Sequence, residues 1–387
     1  MRVEVPEVLV ALALAACGAA IPELPSKGGP AWTELTSDHF TLWTDATIPQ
    51  ATALIQRMED LREAETGVAF HGVSPVGRSF VIALSDREEL HAFMPPQFGA
   101  YAVTMEGAFS QPMIVLAASD DVATGIPAHE LTHVISHSVM RYQPRWFAEG
   151  MAKYFETIRI DHARGVVVVG APPLNEEPLH RLMPLRAMLE CNEVTCLDAG
   201  FYATAWAVFT FLSNVHPDDL AKLEIGMQET HGDPTAAWHD VFGTKTAEIE
   251  GELHEWIETG RHLELRYNSK FRDWSVTQRV LADSDVIAVR GLLYWIFGRQ
   301  LAARTEIDAA LAAEPTNVLA RVVSVAVGLP ISVADARALV KAHDDDWRTW
   351  FLLFHVVAGD EQAMAHAEVC GLLAENPVIT PPLKCPP

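Results

Sequence analysis

His129-Glu130-Leu131-Thr132-His133 sets two imidazoles four residues apart with a carboxylate beside the first. On a helix, residues i and i+4 share a face, so both rings can close on one tetrahedral cation, zinc above all. Glu130 is turned about 100° from His129. Its carboxylate then stands beside the metal, where it can take a proton from an attacking water. A hydrolytic zinc site needs a third protein ligand and leaves its fourth position to solvent. Sixteen positions after His133 stands Glu149, within Trp146-Phe147-Ala148-Glu149-Gly150-Met151. A short turn over residues 141–145 lets this segment return antiparallel as a second helix, bringing Glu149 over the histidine face. Gly150 removes a side chain where the two helices meet closely. The expected ligands of Zn²⁺ are therefore His129, His133 and Glu149, with Glu130 as general base. His137 continues the i+4 series, but eight residues of helix carry it about 12 Å from His129 along the axis, so one ion cannot take all three histidines.

HExxH followed by W-x-x-E-G resembles the gluzincins, specifically the peptidase-MA-like proteins. The specific motifs occupy residues 129–155, and the resemblance in architecture covers roughly residues 31–262. It implies a zincin-like, thermolysin-type catalytic domain, zinc as cofactor, and hydrolysis of a peptide bond in a peptide or protein substrate. Tyr202, in Phe201-Tyr202-Ala203-Thr204-Ala205-Trp206, looks like the tyrosine on the helix downstream of the ligand glutamate. That would make it the second donor to a tetrahedral oxyanion; a helix tyrosine packed against Trp206 and Phe209 is the plainer reading. His231 is another candidate donor. A metzincin would need Gly at 136 and His at 139, where this chain has Ser136 and Val139.

Two departures from the family pattern bear on function. Related enzymes often carry a carboxylate four residues after the ligand glutamate, where it orients a zinc histidine; here that position is Lys153. Glu156 or a backbone carbonyl is left to substitute. The G-x-M-E-N exopeptidase motif is also missing, which leans the reading to an endopeptidase. The alternatives are a catalytically weak or inactive zinc-binding scaffold working through its C-terminal helices, and a hydrolase of a non-peptide amide.

Several elements must position these residues. Residues 32–45 alternate as a strand or strand pair, residues 48–66 have helical periodicity, and residues 78–84 and 113–117 read as buried strands. Residues 101–109 suggest a third strand, at an edge that can pair with an extended peptide. A mixed β-sheet before the motif helices is expected. From about residue 280 the chain turns Ala/Leu-rich, and Gly291, Tyr294, Ala303, Ile307, Ala310 and Pro315 carry the spacing of a tetratricopeptide repeat. Residues 333–342 and 350–374 suggest further hairpins. The predicted fold class is α+β: a catalytic domain over 31–265, then an all-α helical-repeat domain over 273–380 that can dock a protein partner.

The chain has 387 residues and 51 acidic against 28 basic side chains, a formal charge of −23. Such a surface repels nucleic acid and anionic lipid. Residues 8–16 form an apolar run too short to span a bilayer but long enough for a signal segment. Leu14-Ala15-Ala16-Cys17 resembles a bacterial lipobox, which implies a signal over residues 1–17, a tether over 18–30, and a membrane reached through a lipid anchor at Cys17 only. Gly18 after the cysteine implies an outer-membrane lipoprotein of the cell envelope, facing the periplasm or exterior. Four other cysteines, Cys191, Cys196, Cys370 and Cys385, allow three pairings. The local pairs 191/196 and 370/385 are the simplest in an oxidising compartment, and the other two remain open.

Overall fold

Two short apolar runs set the centre of the molecule, because neither has a polar face to give to solvent. The computed structural model describes residues 21, 23–70, 77–96, 98–103, 107–120, 125–172, 181–191, 196, 198–260, 263–375 and 382–385. Cys17 and the signal segment lie outside them. The chain is mixed α and β. Strands β1 (Thr33–Thr36) and β2 (Phe40–Thr44) lead into helix α1 (Ile48–Ala69). There follow β3 (Ser79–Leu84), α2 (Arg87–Phe93), β4 (Ala100–Val103) and β5 (Met113–Ala117). The sheet order is β4-β5-β3-β2-β1, with β2, β3 and β5 parallel and β1 and β4 antiparallel to their neighbours.

Side chains in a strand alternate between faces, and both faces of this sheet are covered. Val81, Ala83, Ile114 and Leu116 point to one layer of helices, whereas Phe80, Ile82, Leu84, Met113 and Val115 point to another. This explains why β3 and β5 read as continuous apolar runs rather than as alternating ones.

On the first face lie α1, α3 (Ile126–Val139) and α4 (Arg145–Glu156). Beyond them come β6 (Arg159–Asp161), β7 (Val166–Val169), α5 (Leu185–Leu189), α6 (Ala199–Val215), α7 (Pro217–Glu229), α8 (Pro234–Phe242) and α9 (Thr246–Thr259). β8 (Leu265–Asn268) completes a small antiparallel sheet with β6 and β7. α1 buries Glu59, Asp60, Arg62 and Glu65; Asp60 is covered by the chain after β8, where Trp274 Nε1 donates to it at 2.9 Å.

Strand β9 (Thr277–Val280) falls inside the range expected to be helical, yet pairs antiparallel with β1 as the sixth strand. The exposed edge of β1 offers unpaired backbone groups, and that template orders a segment with little strand signal of its own. Arg279 then donates to Glu34 at 2.8 and 2.9 Å. The expected strand over 101–109 is also shorter. It ends at Val103, residues 104–106 lie outside the described ones, and Gly107–Phe109 form a 3-10 turn.

The C-terminal helices are α10 (Asp283–Ile296), α11 (Gln300–Ala313), α12 (Val318–Ala326), α13 (Val333–Ala342), α14 (Trp347–Phe354) and α15 (Asp360–Glu375). α10 and α11 form the expected hairpin, with Ala303, Ile307 and Ala310 fully buried. A Cβ on Gly291 would lie 2.6 Å from Ile307 Cδ1, so glycine is what lets the helices touch. Residues 350–374 divide into α14 and α15. The α10–α12 helices pack directly on the second face of the sheet. Cys191–Cys196 and Cys370–Cys385 are disulfide-bonded. No helix among the described residues is long and apolar enough to cross a membrane.

Candidate metal centre

α3 starts at Gly125, whose left-handed backbone (φ 70°) leaves Pro127 in the first turn, where a missing N–H costs nothing. Its buried side carries Leu131, Val134 and Ile135 against the sheet layer. Thr132, also fully buried, donates to Ala128 O and faces Glu65 Oε2 at 3.1 Å. His129 and His133 are thereby turned outward. α4 returns after the turn, with Trp146, Phe147, Met151 and Phe155 buried and Glu149 on its opposite side. A Cβ on Gly150 would sit 2.5 Å from the Ala205 carbonyl oxygen, so the close approach read at this glycine is to α6.

The three expected ligands come together. His129 Nε2 and His133 Nε2 are 3.2 Å apart, and Glu149 Oε2 lies 3.4 and 3.5 Å from them. A tetrahedral zinc with donor bonds of about 2.0–2.1 Å has donor–donor edges of roughly 3.3 Å, so the triangle fits that ion. The chemistry of the donors fits as well. His129 gives its Nδ1–H to Glu156 Oε2 at 3.0 Å, which turns Nε2 toward the other two donors as the nitrogen that would give up its proton to bind a metal. Glu149 Oε2 is shut off from solvent, and its distances to the rings exceed those of a charge-assisted hydrogen bond. Burial works against charge on His129, but Glu149 and Glu156 overturn it and raise its pKa to about 10. The pocket favours a cation.

Glu156 is the carboxylate that orients His129. Lys153 reaches Glu156 with Nζ at 2.7 Å from Oε2. The lysine therefore holds the carboxylate that meets the His129 ring.

Glu130 is buried (8% exposed) beside the ligands. Burial raises its pKa, while the two histidines and the backbone N–H of Ala102 on β4 pull it down. A carboxylate so balanced accepts a proton more readily than an exposed one. Tyr202, in the first turn of α6, lines the same cleft. Its pKa is pushed up to about 12, by burial first and then by the charges of Glu149 and Glu130, so its hydroxyl remains a donor at neutral pH. Its ring meets Phe201 edge-on at 5.8 Å, and Lys153 Nζ stands 5.8 Å from the ring centroid.

The cleft has a volume of about 660 Å³. One wall is β4 and the other is the groove between α3 and α4. His137 and Arg141 lie on its rim, and burial followed by the Arg141 charge lowers the His137 pKa. His231 does not line the cleft; its ring packs on Tyr142 at 4.9 Å. Sequence reasoning missed Phe297, at the end of α10, which reaches the cleft mouth and meets Tyr101 at 5.6 Å. It missed the Ala102 N–H as well. Neither has a sequence signal, because both depend on how distant elements close on the site.

Compared with protein-family models and with curated protein sequences, the chain gives no match.

Proposed function

We propose that this chain is a zinc-dependent peptide-bond hydrolase of the gluzincin type, acting as an endopeptidase with a zincin-like catalytic unit. The observation that carries the reading is the donor triangle of His129, His133 and Glu149, with a buried carboxylate beside it and a cleft in front of it. A structural zinc site would call for a fourth protein ligand. Among the described residues the metal-ligating group is these three.

His129, His133 and Glu149 would hold the metal, which when bound supplies Lewis acidity to polarise a carbonyl and acidify water. Glu130 accepts the proton of the attacking water on its carboxylate and returns it to the leaving amine nitrogen. The Tyr202 hydroxyl donates to the carbonyl oxygen as negative charge builds there. β4, at the sheet edge, offers backbone groups along which an extended peptide can align. Glu156 fixes the tautomer and tilt of His129. The N-terminal lipobox-like segment supports an outer-membrane lipoprotein facing the periplasm or exterior. The C-terminal helices supply Phe297 to the cleft and an outer surface for a protein partner.

Hydrolysis of a peptide library by the zinc-loaded protein tests this reading, with Glu130→Gln as blank. Cleavage by the wild type and none by the variant is expected. Equal cleavage by both would remove Glu130 as base and the mechanism with it.

A further inference from the structure

The chain as a whole is strongly acidic, formally −23, yet the cleft is walled in the opposite sense beyond the metal ligands. Arg141 and Arg145 line it, together with Gln143 and His137. Its acidic lining residues are Glu130 and Glu149, whose charges a divalent ion balances. With the ion in place, Arg145 stands in the groove as a positive charge that the two ligand-side carboxylates no longer offset.

The position of Arg145 is set by the helix that carries Glu149. The two residues are i and i+4 on α4, so they share a face. Four residues of helix rise put Arg145 about 6 Å from the ligand along the axis. Arg145 and Tyr202 line the same cleft, so the guanidinium shares that space with the expected oxyanion donor. An extended peptide advances about 3.3 Å per residue. A side chain within two residues of the scissile bond therefore comes opposite Arg145. Pro95, Phe98, Tyr101 and Phe297 also line the cleft and offer no countercharge.

From this placement we infer that the cleft selects substrates carrying a carboxylate side chain, Asp or Glu, within two residues of the scissile bond, and that Arg145 reads it. The inference rests on the proposed hydrolase site for its geometry. A guanidinium presents a planar fork that matches a carboxylate in two parallel hydrogen bonds. Discrimination against the amide isostere follows because Gln offers one acceptor and no charge. At physiological salt the remote acidic surface is screened over about 8 Å, while the contact with Arg145 is not.

Two fluorescently labelled peptide hydroxamates, identical except for Glu or Gln beside the hydroxamate, test this by binding to the zinc-loaded full chain without turnover. The Glu probe is expected to bind about tenfold or more tightly than the Gln probe, the range of a hydrogen bond to a charged group. Arg145→Ala should erase that advantage, and Arg145→Lys should keep part of it, which separates lost recognition from lost folding. Equal binding of the two probes to the wild type, or an advantage that survives Arg145→Ala, overturns the inference and leaves the hydrolase reading standing. A Glu advantage with no cleavage of any peptide does the reverse. If neither probe binds, both fall.

Discussion

Glu156 Oε2 accepts the Nδ1 proton of His129 at 3.0 Å and is itself held by Lys153 Nζ at 2.7 Å. Lys153 thus stands one step behind the ring, three residues before the carboxylate it holds on α4. Such a partner fixes the histidine tautomer and raises its basicity as a ligand.

Removing that support should therefore weaken the metal. Glu156→Ala is expected to lower zinc affinity by about 10–100-fold, read by competition against a chelator of known affinity. Lys153→Ala, which leaves the carboxylate in place, should cost less. Unchanged affinity in Glu156→Ala would show that the ring is fixed by its packing instead.

Gly150 is the point at which α4 leans on α6. The Cβ of alanine would meet the Ala205 carbonyl oxygen at 2.5 Å and Phe209 Cβ at 3.0 Å, and neither is the end of a flexible chain. Gly150→Ala is expected to destabilise the fold by about 1–3 kcal/mol, measured by urea unfolding. It should also reduce zinc retention, because any shift of α4 moves Glu149.

Tyr202→Phe removes a hydroxyl and keeps the ring. A lone oxyanion donor contributes on the order of 100-fold in kcat, so kcat should drop by that order while KM and zinc content stay near wild type. An unchanged kcat would return Tyr202 to the plainer role of a packed helix tyrosine.

Asp45 lies buried near Glu89, and burial first, then that neighbour, raises its pKa to about 8. Its ordinary value is 3.8, so between these limits the folded state binds the proton and the unfolded state has released it. Stability from this group is full below about pH 4 and is lost as pH rises through about 8. Asp45→Asn should flatten that decline in a series of unfolding midpoints from pH 5 to 9. A decline of the same slope in the variant would place its origin elsewhere.

Much of the site could be read in the chain because its signals are local. The i+4 histidines, the glutamate sixteen residues on, and Gly150 beside it need only two helices and a turn to become geometry. Gly291 and Ala303 announced the α10–α11 hairpin for the same reason. The rest depends on long-range closure. Thr277–Val280 has no strand pattern of its own and is ordered by the free edge of β1. On α1, Asp60 is held by Trp274 and the Ala64 carbonyl by Tyr267, from chain more than two hundred residues later, while Glu59 meets His39 and Glu65 meets Thr132. The second apolar face of β3 and β5 was visible as composition, but nothing local said that α10–α12 would cover it. Phe297 enters the cleft through that same packing.

Zinc-edge X-ray absorption on the stoichiometrically loaded protein, repeated with Glu149→Ala, tests the metal assignment most directly. The expected spectrum has two imidazole nitrogens and a carboxylate oxygen at about 2.0–2.2 Å, plus a further light-atom donor from solvent, and the variant should lose the carboxylate contribution and most of its zinc. Four protein ligands around the ion, or a Glu149→Ala spectrum and zinc content matching wild type, would contradict it.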